Sequence, residues 1–438
     1  MSDAATSSAR MRWDEALFWI VFTLHAFLPG RWQPAIVIAD APVMVMDLVL
    51  MALAVTLIIW RWRDLRIYPR PWLMVGVWFV VVVLWGVTSL PLWADARDTA
   101  DAIGRLVPLL GASAAFVCAY VLMAGRPTEE IAAVLRRATI FLAVVGTAYA
   151  VKSLAAPGLE LSFIRDAQQR ARGPLFSPAV GHLALLPALG CAVGLALSAV
   201  GRQRTWWTIA SCGLLLAVVA MGSRGALLGL AIFAALTALL VGGGNRIVRV
   251  AGIVALAGVG VLLVFGLELI TGGRTRETSD PFRERTYTTA FAALSEAPTT
   301  VARGQGLGVM WPWYSEDAER SGWEGRDTDV AFWHHTPYGA SMAHPHSLPL
   351  WLAVEFGLPG MLLVVSLLVC HLVVFRGTAG EPWRMATACG LSAAITAIAF
   401  DLPVFKSFTL ATLWWMYLLG LLILHGRTSA KETAPCAA

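Results

Sequence analysis

Long apolar runs, each close to the length a helix needs to cross a bilayer, follow one another along the chain and are separated by short polar connections. They predict membrane helices near 15–38, 42–60, 72–91, 103–124, 131–152, 177–200, 206–222, 225–241, 248–270, 348–372, 384–401 and 408–425. The first run is interrupted, because LHAFLPGRWQP carries a proline, a glycine and an arginine; this segment is expected to be broken or partly interfacial. The period-two alternation of a barrel strand is absent from the sequence. The expected fold class is all-α, a polytopic membrane protein with about 12 transmembrane helices and a long loop containing short helices. Residues 1–270 would hold helices one to nine, 271–347 the loop domain, and 348–438 helices ten to twelve and a tail.

The polar connections set the expected orientation. Arg10, Arg12, Arg61, Arg63, Arg66, Arg70, Arg126, Arg136 and Arg137 fall on one side, followed there by Arg202, Arg204, Arg246, Arg249, Arg376, Arg384, Arg427 and Lys431. The opposite short loops are poorer in basic residues, and WADARDTAD is acidic. Basic loops stay in the cytoplasm, so both termini are expected there. The stretch 153–176, the tight GSRG turn at 222–225 and the long stretch 271–347 then lie on the outer side. Within the last, Tyr287, Ala290, Phe291 and Leu294 recur at helical spacing and predict a helix lying on the membrane surface or on the other helices.

Composition agrees with this layout. Of 438 residues, 58% are hydrophobic and only 14% charged, well below the roughly 25% charged share of soluble chains. The net charge of +5 is spread over connections without a basic run, which argues against nucleic acid as a partner. Five of the six cysteines lie in or beside apolar segments and one in the tail, so none suggests a disulfide or a metal cluster. The N-terminal region has no small-residue cleavage site after its first apolar run, which reads as a membrane segment and not as a removable signal. No internal repeat is visible, which disfavours a transporter built from repeated halves.

Candidate chemistry gathers on the expected outer side. In MAHPHSLPLWLAVEFGLPG, Pro345 interrupts any incoming helix, Ser347 is placed to cap the next one and Pro349 fits its first turn. His346 then sits at the positive end of a helix, in a field that favours the neutral ring and leaves it able to accept a proton. A histidine that serves only the local backbone fits the spacing equally well, and His344 reads as a neighbour orienting the turn. Glu355 follows His346 by nine residues, about 13 Å along a helix. A carboxyl at that depth must be paired, hydrated or protonated.

Arg224 in MGSRGALLGL has small neighbours and a helix start beside it, a combination suited to holding phosphate. Arg283 and Arg285 open the surface helix, and Arg303 stands among glycines in ARGQGLGVM. Arg165, Arg170 and Arg172 crowd the 153–176 loop. Positive charge on the side where orientation does not require it fits a lipid carrying a diphosphate at the outer leaflet. The sequence shows neither a phosphate-binding Gly-rich loop ending in Lys-Ser or Lys-Thr nor a spaced metal-ligand set. Asp95, Asp98 and Asp101 read as an exposed acidic loop, and His334 and His335 as loop residues that could also meet an acceptor.

These residues resemble the bacterial O-antigen ligase family, within the O-antigen ligase and polymerase superfamily. The ligase pattern of His, then Asn, Ser or Gln, nine residues and Gly-x-x-Gly is matched by His346-Ser347 and Gly357-Leu358-Pro359-Gly360. RGPLFSPAVGHLALLPALG at 172–190, SRGALLGL at 223–230, and RERTY followed by ARGQGLG occur in the order of the same group. The motifs span roughly residues 170 to 360.

The resemblance implies transfer of a polysaccharide from undecaprenyl diphosphate to a sugar hydroxyl of the lipid A–core, at the periplasmic face of the inner membrane, with no ATP, metal or other cofactor. It places the family's essential histidine on His346 and its arginines on Arg224 and on Arg285, or Arg283 with a small shift of register. Arg172, Arg283, Arg303, His344 and Glu355 are the expected substrate-binding residues. The expected partners are the undecaprenyl-diphosphate-linked O-antigen, the lipid A–core acceptor and membrane lipids. An O-antigen polymerase, an O-linked protein oligosaccharyltransferase and a lipid-glycan transporter remain alternatives at this stage.

Overall fold

The computed structural model describes residues 11–28, 35–38, 41–63, 71–93, 99–155, 170–171, 173–175, 177–241, 250, 254, 287, 290–295, 298–307, 333–336, 339–342, 347–376, 378, 381–401 and 403–432. The apolar runs become helices. They are α1 (Trp13–Phe27), α2 (Val45–Arg61), α3 (Pro71–Trp93), α4 (Thr99–Met123), α5 (Thr128–Ala155), α6 (His182–Ser198), α7 (Gly201–Ala220) and α8 (Arg224–Leu240). After these come the short α9 (Pro298–Arg303), then α10 (Leu348–Arg376), α11 (Pro382–Phe400), the single-turn α12 (Pro403–Lys406) and α13 (Phe408–Glu432).

Four of these helices open on proline, where the missing N–H costs nothing and the fixed φ already suits a helix. Two antiparallel hairpins, β1 (Ala35–Ile38) with β2 (Ala41–Met44) and β3 (Trp333–Thr336) with β4 (Gly339–Met342), interrupt an otherwise helical chain. Among the described residues, α5, α10 and the Phe408–Arg427 part of α13 are long and apolar enough to cross a bilayer. The chain is a helical membrane protein.

Several boundaries move from those expected. The run at 15–38 does not form one helix: α1 stops at Phe27, two residues before Pro29, and β1 begins at Ala35. The run at 177–200 becomes helical only at His182, because residues 177–181 make a tight turn in which Gly181 N–H donates to Ser177 O at 3.0 Å. The expected segment 248–270 lies outside the described residues. In the expected surface helix, residues 290–295 are helical, but Ala290 and Ala293 are buried while Phe291 is 63% exposed. The apolar face is therefore turned away from Phe291.

Small residues let the helices approach. Gly146 of α5 meets Leu185 of α6 and Ala217 of α7, and Gly229 of α8 meets Leu186 of α6 and Thr396 of α11. A Cβ at Gly190 or Gly194 of α6 would collide with the α11 backbone at Ala386 or Trp383, and one at Gly390 of α11 with the α6 backbone at Leu186. In a lipid solvent, such close backbone contact replaces the hydrophobic drive between helices. These pairings set α6 antiparallel to α11 and parallel to α8. The bundle thus has a proximal end, where α1, α5 and α11 begin, and a distal end, where α6, α8, α10 and α13 begin. Phe79, Phe116, Trp351, Phe405 and Trp415 fill its interior in edge and stacked contacts. Thr139 and Tyr417 share a buried hydrogen bond of 2.8 Å.

The proximal end corrects one assumption about the basic residues. Arg61, Arg126 and Arg137 do more than mark sidedness. Arg126 bonds Glu15 at 3.1 Å and Asp14 at 3.0 Å, Arg137 bonds Glu15 at 2.6 Å, and Arg61 reaches Asp14 at 3.3 Å. Arg61 also donates to the last carbonyls of α4, at Val121 and Ala124. Asp14, Glu15, Arg61 and Arg126 are all buried. Two carboxylates at the start of α1 therefore tie together α2, α4 and α5.

Candidate functional site

At the distal end, α10 opens as its sequence requires. Ser347 lies just before the helix; its Oγ accepts a long 3.5 Å bond from Leu350 N–H, and its carbonyl accepts from Trp351 N–H at 3.0 Å. The Ser347 cap fixes where the chain leaves the position of His346. His346 and His344 themselves lie outside the described residues, as do Arg172, Arg283 and Arg285.

Nine residues into α10 the helix breaks. Gly357 has φ +60°, and Pro359 follows. In an unbroken helix the Glu355 carbonyl would accept from residue 359, but proline has no N–H to give. That carbonyl is taken instead by Gly306 N–H at 3.1 Å, and the Val354 carbonyl by Gln305 N–H at 2.8 Å. The partners come from the turn after α9, where Gly304 and Gly306 both have positive φ. A Cβ on Gly304 would collide with the backbone of Glu355, and one on Gly357 with the backbone of Arg303 and Gly304. Trp85 of α3 secures the same turn by donating its indole N–H to Arg303 O at 2.9 Å. Two glycine-bearing stretches about 50 residues apart in sequence thus dock on each other. Glu355 is fully buried at this junction, whereas the Arg303 side chain points outward.

Arg224 is the first residue of α8 and is half-buried. It follows Gly222, whose φ of +56° reverses the chain between α7 and α8, and Leu227 N–H donates to Ser223 O at 2.9 Å as the helix begins. The arginine-rich segment before α6 reaches the same layer: Ala171 N–H donates to Ala220 O, four residues before Arg224, at 2.8 Å. Gly173 packs on the Tyr149 ring, and the Tyr149 hydroxyl accepts from Leu175 N–H at 3.3 Å while donating to Ala26 O. The distal ends of α1, α5 and α7 are stitched together through this one segment.

Two residues that the sequence reading passed over join this layer. His182, the first residue of α6, is 1% exposed, and among the described residues neither ring nitrogen has a hydrogen-bond partner. Asp401, which ends α11, is buried and lies within electrostatic reach of that ring. The positional logic applied to His346 would have found His182, which also heads an apolar run after a proline-rich turn.

A cavity of about 510 Å³ runs beside this end, between Tyr287, Phe291 and Leu294 on one side and Ser347, Leu350 and Met361 on the other. Its walls are apolar, and the Ser347 and Tyr287 hydroxyls supply polarity. Among the described residues, no group of three or more His, Cys, Asp or Glu side chains is placed to hold a metal ion. The distal end therefore offers a guanidinium at a helix start, buried carboxyls, an unbonded imidazole and an apolar groove opening beside the cap that follows His346. Such a set suits an amphiphile with an anionic or hydroxylated head. No protein-family model and no curated protein matches this chain.

Proposed function

We propose that the chain is a glycosyltransferase of the O-antigen ligase kind in the bacterial inner membrane, with both termini in the cytoplasm and the distal end of the bundle at the periplasmic face. The observation that carries this reading is the docking of the 302–307 stretch on the break at Gly357, which joins two of the sequence pieces on which the resemblance rests. The glycines of the histidine motif have a physical task here: they let the α9 turn and α10 backbones meet at the break in the helix that Ser347 opens. The remaining membrane segment, which brings the count to about 12, is part of the same proposal.

Donor and acceptor lipids enter laterally and place their heads at the distal end. A hydroxyl oxygen of the lipid A–core attacks the anomeric carbon of the undecaprenyl-diphosphate-linked glycan from the face opposite the diphosphate. The bond from that carbon to the phosphate oxygen breaks, and its electron pair leaves with undecaprenyl diphosphate. His346 takes the hydroxyl proton. Arg224 and Arg285, assisted by Arg172 and Arg283, hold the diphosphate and stabilise the charge growing on it. Bringing two membrane-bound substrates into register supplies a further large share of the rate.

Transfer of labelled glycan in purified membranes tests the assignment. His346→Ala is expected to lower turnover by about 10²- to 10⁴-fold at unchanged protein level; near-normal turnover of a folded variant removes His346 as the base. The lipopolysaccharide of a deletion strain separates ligase from polymerase. Loss of every long-chain species while undecaprenyl-linked polymer persists identifies the ligase, and core bearing a single repeat identifies the polymerase.

A further inference from the structure

The starts of α6 and α8 lie side by side, and their register can be followed down the bundle. Gly229 of α8 packs on Leu186 of α6 and on Thr396 of α11. One helical turn towards the distal end brings His182 on α6, Gly225 on α8 and the Phe400–Asp401 terminus of α11 to a common level. Arg224 is the next residue on α8. Two parallel helices thus direct their N-terminal N–H groups and dipoles to one place, where negative charge is favoured.

The side chain at the head of α6 points to a ligand independently of that dipole argument. A histidine removed from solvent, with both ring nitrogens unbonded, bears a desolvation cost that native interiors ordinarily avoid. Leucine or phenylalanine would fill the same space without that cost. Asp401 lies within electrostatic reach of the ring, where it favours a ring that carries its N–H protons.

We infer that His182 is a second ligand-contacting residue of the anion seat that Arg224 opens, donating a ring N–H to a phosphate oxygen of the lipid-linked diphosphate. The inference rests on the reading of Arg224 as a diphosphate ligand. It assigns the seat a neutral-capable donor on one helix and a permanent cation on its neighbour, so the phosphates lie across the α6–α8 junction.

The test uses the full chain purified in lipid nanodiscs, with undecaprenyl diphosphate as the titrated probe and thermal melting as the control. His182→Phe keeps the ring volume and removes both nitrogens; it is expected to weaken binding about 10- to 100-fold, the worth of a hydrogen bond to a charged group. His182→Asn and His182→Gln place an amide near Nδ1 and Nε2 respectively, and one of them is expected to restore part of the affinity. In the transfer assay the donor KM should rise with little change in the acceptor KM. Undiminished binding by folded His182→Phe, or a loss that neither amide relieves, overturns the assignment. Should His182→Phe fail to fold, a tenfold or larger difference between the two amides supports the contact, and equal affinities overturn it. Wild-type protein that binds no undecaprenyl diphosphate overturns the function reading itself, together with this inference.

Discussion

The two ends of the bundle use the same kinds of residue to different effect. At the proximal end, Arg61, Arg126 and Arg137 are matched to Asp14 and Glu15 at 2.6 to 3.3 Å, and the spare hydrogen-bond capacity of Arg61 goes to helix carbonyls. Charge there is consumed in holding four helices together. At the distal end the holding is done by backbone: Gly306 and Gln305 bond the carbonyls released at the α10 break, Ala171 bonds Ala220, and the Tyr149 hydroxyl bridges α1 to the segment before α6. Among the described residues, His182 at this end keeps both ring nitrogens unbonded. One end of the bundle is thus locked by an ion cluster and the other by backbone hydrogen bonds and close glycine packing.

Substitutions separate these two modes of holding, and the largest effect is expected at the locked end. Arg126→Ala leaves Asp14 and Glu15 buried with less compensation and should cost about 3–5 kcal/mol of stability. Loss of the folded peak in detergent chromatography, or a large fall in melting temperature, reports it. Donor binding by whatever protein remains folded should be unchanged. A melting temperature like that of the wild type would end the view of this cluster as the lock.

An intermediate effect is expected where the α9 turn docks on α10. Gly357→Ala forces a Cβ onto a positive-φ residue in contact with the Arg303 and Gly304 backbone, at a cost of about 1–3 kcal/mol. Because that contact meets the break in the helix behind His346, glycan transfer should fall by more than the stability loss explains. Equal loss of activity and folded fraction would reduce the junction to plain packing. The smallest change is expected for Tyr149→Phe, which removes one hydroxyl serving two backbone groups and should cost about 0.5–1.5 kcal/mol. Faster proteolysis within 153–176, with transfer only modestly reduced, distinguishes it from Gly357→Ala.

Much of the helical layout was legible in advance because the bilayer imposes a length on apolar runs, and that length is written in composition. The cap at Ser347 was legible for a similar reason: hydroxyl, proline and apolar run are adjacent in the chain and act locally. The short α1 was half legible, since Pro29 and Gly30 stand at its end. The ion cluster was missed although Asp14 and Glu15 stand at the head of an apolar run, a placement that requires partners. Nothing local identified those partners, because Arg126 and Arg137 lie more than 100 residues away. The unbonded ring of His182 could not be read at all, since a histidine's hydrogen bonds depend on what other helices bring to it.

The sequence by itself determined that this is a helical membrane protein and roughly where most of its described helices run, because those properties depend on neighbours within a turn or two. Only the tertiary structure decided that the 302–307 turn closes the break in α10, that Arg224, His182 and Asp401 end at one level, and that Arg61, Arg126 and Arg137 serve as a lock. Each of these depends on backbones approaching across the bundle. That approach is set by which small residues face each other and by carbonyls that a proline leaves without a donor, neither of which is fixed within one segment.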